Sequence, residues 1–168
     1  DDFSLKFTFF PVGGRVLDKE PDLWRDIFLQ GHEIENHSHS HRVLNTRLLQ
    51  LDDIKNDIAS HQELLTSVLQ EPYQARFFRP PGGWIEPSVT EIAQDLGLQV
   101  VTWSLSSGGT SSLSTPDSSF YNVTRARGGD IVLMHCINND TLRLSQMVEV
   151  LQNKGLGVVP LSQLLDTT

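Results

Sequence analysis

Short apolar runs alternate with amphipathic segments along almost the whole chain, and this alternation most constrains the possible folds. Continuous apolar runs predict strands, and apolar residues that recur every three to four positions predict helices. Alternating strands and helices are typical of an α/β fold with a mostly parallel sheet, either open or closed into a barrel. The predicted strands are Leu5–Phe10, His32–Asn36, Ala75–Phe78, Leu98–Trp103, Asp130–His135 and Val158–Leu161.

The predicted helices are marked by their boundary residues. Pro21 and Pro87 suit the first position of a helix, because proline has no N–H to leave unpaired there. Leucines and isoleucines spaced along one face predict a long amphipathic helix over residues 51–70. A further helix is expected after residue 135, ending at Gly155, and Ser104–Ser119 is interpreted as a loop rich in serine, glycine and threonine.

Composition and charge exclude several classes of function. The 168 residues fit one domain, and 38% hydrophobic residues with 20% charged residues is ordinary for a globular protein. A formal net charge of −8 argues against nucleic acid or an anionic membrane as the main partner. No apolar run approaches the length of about 18 residues that inserts into a bilayer. Cys136 has no second cysteine with which to form an internal disulfide.

Three of the six histidines lie within residues 37–41, directly after the second predicted strand. Imidazole is the commonest protein ligand for zinc-like metals. One helical turn would place His37 and His41 on the same face, whereas His39 joins them only if the segment is extended. Two histidines do not complete a tetrahedral site, so a third ligand, expected to be a carboxylate, must come from elsewhere. The alternative is a polar loop that is rich in serine and histidine by chance.

Other polar side chains follow other predicted strands, at the ends where parallel strands collect functional groups on one rim. Arg79 is held by two prolines, and an arginine is always charged and binds a carboxylate bidentately. His135 ends a buried strand, where it is either a proton donor to a leaving group or a satisfied core histidine. Trp84 and Trp103 would flank a sugar ring or pack in the core. Together these residues fit metal-assisted hydrolysis.

At this point the motifs resemble those of the polysaccharide deacetylase family, also called the NodB homology domain or carbohydrate esterase family 4. The resemblance extends over nearly the whole chain, from residues 6–13 to residues 157–161. The segment at residues 31–41 resembles the second motif of the family, residues 78–82 the third, and residues 131–135 the fifth. Three motifs in the right order and spacing make the resemblance specific.

The resemblance assigns roles to individual residues. The predicted metal ligands are His37 and His41. The predicted catalytic residues are Arg79 and His135. The predicted substrate-binding residues are Pro80, Trp84 and Trp103. In this assignment Arg79 orients the catalytic base and His135 is the general acid. The implied cofactor is Zn²⁺ or another divalent metal such as Co²⁺ or Ni²⁺.

The resemblance also implies a fold and an activity. The fold would be a distorted (β/α) barrel with fewer than eight strands, here without its first strand, in a single domain over residues 1–168 that is incomplete at its N-terminus. The activity would be removal of N- or O-acetyl groups from a polysaccharide substrate such as chitin, peptidoglycan or xylan. A secreted, periplasmic or cell-envelope location is implied as well.

Two motifs depart from the family pattern. The first motif carries paired aspartates, one the base and the other a metal ligand, well ahead of a Thr-Phe-Phe strand, but only five residues separate Asp2 from Thr8. We therefore interpret Asp1-Asp2 as the end of a helix and expect the base and the third ligand to lie outside this sequence. The fourth motif, around Trp103, lacks the aspartates of the family, so no carboxylate is expected to tune His135.

Three functions stay open at this point. The first is a zinc-dependent polysaccharide deacetylase whose N-terminal strand is absent from this sequence. The second is a non-catalytic relative that binds glycans or only keeps the fold, because the catalytic aspartates are missing. The third is a small-molecule amide hydrolase on the same scaffold.

Overall fold

The computed structural model describes residues 4–166, and the contacts among them form two compact units. The first unit is Lys6–Thr102, and the second unit is residues 103–166 together with Ser4 and Leu5. Asp1-Asp2, interpreted above as the end of a helix, lie outside the described residues. The assignment of the whole chain to a single domain stays a prediction.

Strands and helices alternate in the first unit, as the sequence predicts. Its strands are β1 (Thr8–Phe9), β2 (Glu33–Ile34), β3 (Phe77–Phe78) and β4 (Gln99–Val100). Its helices are α1 (Pro21–Leu29), α2 (Leu51–Leu69) and α3 (Pro87–Asp95), with a π-helical turn at Gly13–Leu17 and a 3₁₀ turn at Pro81–Gly83. β1 pairs with β2 and β3 with β4, both in parallel, and a parallel bridge between Asn36 and Phe78 connects the two pairs.

Local signals explain where these helices begin and how they pack. Pro21 and Pro87 occupy the first turns of α1 and α3, which confirms both predicted helix starts. α2 matches the helix predicted over residues 51–70. Asp52 and Asp53 lie in its first turn, where the helix dipole interacts favourably with negatively charged side chains. Its inward face contributes to the apolar core of the first unit, whose buried members include Ile54, Ile58, Leu65, Leu69, Leu17, Ile34 and Phe78.

The second unit has its own parallel strand pair and its own core. β5 (Leu105–Ser106) pairs in parallel with β6 (Val132–Leu133). The helices are α4 (Pro116–Val123), α5 (Asn138–Thr141), α6 (Leu144–Asn153) and α7 (Leu161–Asp166). The buried apolar cluster of this unit consists of Val123, Ala126, Met147 and Leu151.

The α/β class and the parallel strand pairing are confirmed, but the strands are shorter than predicted. Within residues 4–166 they form separate parallel pairs and no closed barrel. Pro11 and Pro80 lie two residues beyond β1 and β3, and proline has no N–H to donate to a strand ladder. No helix in the described part of the chain is both long enough and apolar enough to cross a membrane.

Two predicted elements of the second unit are wrong. The predicted loop Ser104–Ser119 contains β5 and the start of α4, which Pro116 begins and a capping box between Thr115 and Ser118 stabilises. The predicted strand Val158–Leu161 is replaced by an irregular segment that leads into α7. The carbonyl of Pro160 accepts a hydrogen bond from the Leu164 N–H at 3.1 Å, so this proline precedes a helix instead of joining a sheet.

Candidate functional site

Two of the clustered histidines lie side by side in the first unit. The ring centroids of His37 and His41 are 4.9 Å apart, with an angle of 70° between the ring planes. Residues 37–41 are neither a helical turn nor a strand, because the chain bends at His39 and Ser40. Ser38 and His41 adopt left-handed backbone angles, with φ of 63° and 58°. Such angles cost free energy in residues other than glycine, so the surrounding contacts must impose them.

Side-chain hydrogen bonds hold this bend. The Ser38 hydroxyl oxygen accepts from the His41 N–H at 3.1 Å, and the Asn36 side-chain oxygen accepts from the Ser38 N–H at 3.0 Å. The Asn36 amide in turn donates to the carbonyl of Ile58 in α2 at 3.0 Å. Because Asn36 is fully buried, the bend is anchored on the core and not on solvent-exposed contacts.

His37 is held at its Nδ1 atom by a backbone carbonyl. Its Nδ1 lies 2.6 Å from the carbonyl oxygen of Arg79, and a carbonyl only accepts, so Nδ1 carries the proton of the neutral ring. Burial lowers the pKa of His37 to about 4, and the hydrogen bond to the Arg79 carbonyl only partly opposes this. The ring is therefore neutral at physiological pH, with the lone pair of Nε2 available for a metal.

A third ligand for this pair is not present in the described part of the chain. No group of three histidine, cysteine, aspartate or glutamate side chains suitable for a metal occurs within residues 4–166. The residues therefore fit a divalent metal as two of its ligands, because a neutral imidazole tied to a carbonyl through its other nitrogen is how metal-binding histidines are usually held. That the third ligand lies outside this sequence stays a prediction, and Asp1 and Asp2 lie outside the described residues.

His39 does not join the pair but belongs to a second, buried group of polar residues. Its ring lies against Gly13 and Gly14, where an added Cβ would come within 3.1 Å and 2.8 Å of ring nitrogens. His61 in α2 is fully buried, donates from Nε2 to the carbonyl of Pro11 at 2.8 Å, and has its pKa lowered by burial to about 4. Asp57 accepts from both the N–H and the hydroxyl of Ser40, so it braces the same bend from α2.

Arg79 is a buried cation that lacks an anionic partner among residues 4–166. Only 9% of the residue is exposed, and its guanidinium lies 4.1 Å from the ring centre of Phe10. It donates to the carbonyl of Thr102 at 3.3 Å, whereas Nε is buried without a hydrogen-bond partner. Burial lowers the pKa of Arg79 to about 10. A buried charge is costly, and the face of the Phe10 ring offsets part of that cost.

The predicted substrate-binding residues lie in different surroundings. Pro80 is buried directly after Arg79, and Trp84 is 52% exposed after the 3₁₀ turn. The backbone near Trp84 is held by Glu86, whose carboxylate accepts from the N–H of Thr46 at 3.0 Å. Trp103 is half-buried at the start of the second unit. Their role in substrate binding stays a prediction.

His135 lies two residues after β6 in the second unit, as its motif predicts. Its side chain is 40% exposed, and Nδ1 lies 3.5 Å from an oxygen of Asp140, whose side chain is fully buried. The same oxygen accepts the His135 backbone N–H at 2.7 Å. The expectation that no carboxylate stands near His135 is therefore wrong. The sequence motifs do not indicate Asp140, and the only local signal is its position five residues after His135.

The structure thus brings His37, His41 and Arg79 together in the first unit and pairs His135 with Asp140 in the second. The catalytic and metal-binding roles assigned to these residues stay predictions, as does the expectation that all of them converge on one rim.

The family model and the similar known proteins all point to the same family. Residues 1–101 match the model of the polysaccharide deacetylase family. The chain is 31% identical to a peptidoglycan-N-acetylglucosamine deacetylase of Bacillus cereus, over 97% of this chain and 76% of that relative. Further relatives are chitin and xylan deacetylases. The chain spans only 60% of a second Bacillus cereus deacetylase and 34% of a chitin deacetylase, so it matches part of these proteins.

Solved structures with the same fold include both active and inactive proteins. A CE4 family pseudoenzyme from Bacillus anthracis superimposes with a TM-score of 0.88 at 27% identity, over 98% of this chain and 57% of that one. A mutant of this pseudoenzyme has restored enzymatic activity. A family 4 acetyl xylan esterase from Clostridium thermocellum, in complex with a cobalt ion, superimposes with a TM-score of 0.84 at 25% identity, over 99% of this chain and 80% of that one.

Proposed function

Because the chain belongs to the polysaccharide deacetylase family, we propose that it is a metal-dependent hydrolase that removes acetyl groups from a polysaccharide. The substrate would be an N-acetylglucosamine polymer such as chitin or peptidoglycan, or acetylated xylan. The observation that carries this proposal is the pair of rings of His37 and His41, 4.9 Å apart, in which His37 is neutral and tied to the Arg79 carbonyl. An inert polar loop has no reason to bury and orient imidazoles in this way.

In this proposal His37 and His41 would hold a divalent ion such as Zn²⁺, Co²⁺ or Ni²⁺. Bound there, such an ion supplies a Lewis acid for the acetyl carbonyl and for water. Arg79 would use its unpaired Nε–H to hold the carboxylate of the catalytic base. His135 would donate a proton from Nε2 to the departing amine or alcohol of the sugar.

The substrate would be held by apolar side chains. The exposed ring of Trp84 supports a role in stacking on a sugar ring, and Trp103 and Pro80 are the further predicted contacts. A secreted, periplasmic or cell-envelope location would give the protein access to such polymers, where the family's substrates lie.

A second candidate is a non-catalytic relative that binds glycans. The structural similarity to a CE4 family pseudoenzyme, with a TM-score of 0.88 at 27% identity, favours it. This candidate predicts glycan binding without acetate release.

Acetate release by the zinc-loaded chain separates these candidates. The substrates are chitooligosaccharides, peptidoglycan fragments, acetylated xylan and a small N-acetyl amide, each with and without a chelator. The proposal predicts chelator-sensitive release from at least one polymer, and His37→Ala should abolish it. Binding to a polymer without release would support the non-catalytic relative, and release only from the small amide would support an amide hydrolase. Either result would contradict the proposed deacetylase.

A further inference from the structure

We propose that Asp140 is a positioning residue for His135, which fixes the proton of the neutral ring on Nδ1 and turns Nε2 away from the carboxylate. This inference rests on the proposed function for the role of His135, but the arrangement itself is independent of any activity. The fourth motif lacks a carboxylate, and the structure supplies one from five positions beyond His135 in the chain.

Asp140 is fully buried and its carboxylate is held by two donors. Oδ1 accepts from the Ser119 hydroxyl of α4 at 2.8 Å, and Oδ2 accepts from the His135 backbone N–H at 2.7 Å. The His135 Nδ1 lies 3.5 Å from the same Oδ2, at the outer limit of a hydrogen bond. Because both oxygens are fixed by other groups, the carboxylate cannot turn away from the ring.

The serine- and glycine-rich segment makes room for this carboxylate. A Cβ on Gly109 would overlap Oδ1 of Asp140, so any side chain at this position would displace the carboxylate. The neighbouring Asn139 anchors the segment by donating to the carbonyl of Gly109 at 3.0 Å. The segment Ser104–Ser119, interpreted from the sequence as a loop, therefore leaves space for the Asp140 carboxylate at Gly109.

The chemistry of the pair follows from burial and geometry. A carboxylate accepts hydrogen bonds and cannot donate them, so a neutral ring facing it is stabilised with its proton on Nδ1. A buried carboxylate is also costly without a partner that offsets its charge, which strengthens its pull on an N–H that faces it. With Nδ1 facing Oδ2 of Asp140 at 3.5 Å, Nε2 is the nitrogen that points away from the carboxylate and can exchange a proton with a substrate.

The wild-type ring gives the first test, and it requires no substrate. Long-range ¹H–¹⁵N correlation spectra of the zinc-loaded chain, at a pH where the ring is neutral, identify which nitrogen carries the proton. The His135 signals are assigned by their loss in His135→Gln. We expect the Nδ1–H form to exceed the Nε2–H form by about tenfold or more, as a charge-assisted hydrogen bond requires. A ring protonated mainly on Nε2 would overturn the proposal.

Asp140→Asn and Asp130→Asn form a matched pair of variants. Asp130 also accepts from one serine hydroxyl (Ser104) and one backbone N–H (Arg127), both at 2.7 Å, and neither of these partners is a histidine. Asp140→Asn should reduce the Nδ1–H preference at least about threefold and lower kcat by about 10- to 100-fold with little change in KM. Asp130→Asn should change neither the ring signals nor kcat.

The two proposals fail in different ways. If the wild type releases no acetate but its His135 ring shows the Nδ1–H form, the proposed deacetylase is wrong and the role of Asp140 stands. If acetate is released and Asp140→Asn folds with unchanged ring signals and unchanged kcat, the role of Asp140 is wrong.

Discussion

The two units hold their key histidines in opposite ways. His37 in the first unit is half-buried, and its Nδ1 faces the neutral carbonyl of Arg79 at 2.6 Å. His135 in the second unit is 40% exposed, and its Nδ1 lies 3.5 Å from the buried carboxylate of Asp140. The same ring nitrogen thus meets a neutral acceptor in one unit and a charged acceptor in the other.

This difference separates two chemical tasks. A buried ring on a neutral carbonyl stays unprotonated at Nε2, which is what a metal ligand needs. A ring that is open to solvent and backed by a carboxylate can accept and release a proton at Nε2, which is what a general acid needs. In the proposed function, burial and the partner of Nδ1 together would distinguish the ligand His37 from the acid His135.

Replacing His37 should have the largest effect. His37→Ala removes one of the two imidazoles available for the metal, so zinc affinity should fall by more than about 100-fold, and acetate release should be lost. Isothermal titration with Zn²⁺ measures the affinity. His32→Ala is the control, because His32 is also half-buried in the first unit but its Nδ1 accepts the Phe7 N–H at 3.1 Å. Equal losses of zinc affinity in both variants would contradict the assignment of His37.

Replacing His135 should affect turnover and not the metal. His135→Ala should leave zinc affinity unchanged while slowing turnover by roughly 10²–10⁴, the usual contribution of general acid catalysis. Zinc content and steady-state acetate release, measured on the same preparation, check both halves of this prediction. Full activity in His135→Ala would show that another group protonates the leaving group.

The buried histidines of the first unit should make its stability depend on pH. The pKa of His61 is lowered to about 4 by burial, so between pH 6.5 and 4 the unfolded chain binds a proton that the folded chain does not. The stabilisation is complete above pH 6.5 and is lost as the pH falls through this window. His61→Gln can keep the hydrogen bond to Pro11 but does not titrate. From pH 7 to 5, the wild type should lose roughly 2 kcal/mol more free energy of unfolding than this variant.

Urea unfolding of the metal-free wild type and of His61→Gln, at both pH values, measures that difference. Taking the difference between the two proteins removes the contribution of groups that they share, such as Glu35, whose pKa is raised to about 7 and whose effect on stability has the opposite sign. Parallel pH dependences would show that His61 is not held neutral in the folded chain.

Helices were easier to predict than strands because their signals are local. Pro21 and Pro87 each begin a helix for reasons that lie within one turn. The same signal was present at Pro116, with Thr115 as its cap, but the surrounding serines and glycines obscured it. The length of a strand depends on how far a neighbouring strand offers N–H and carbonyl groups for pairing. The apolar run Leu5–Phe10 therefore indicated where β1 lies, but it did not indicate that the strand is limited to Thr8–Phe9.

The candidate site also has features that the sequence indicates and features that it does not. The motifs indicated His37, His41, Arg79 and His135, because residue type and spacing carry that information. They did not indicate the left-handed bend, which depends on a buried bond from Asn36 to α2. Nor did they indicate Asp140, which depends on the absence of a side chain at Gly109. Contacts of this kind arise from tertiary packing and leave no periodic trace in the sequence.

The most direct test of the account is X-ray absorption spectroscopy at the zinc edge on the zinc-loaded chain. If His37 and His41 hold the ion, the spectrum will show two imidazole nitrogens at about 2.0–2.1 Å, with oxygen completing the shell. A sulfur at about 2.3 Å, which only Cys136 or a methionine could provide, or a shell without imidazole scattering, would contradict it.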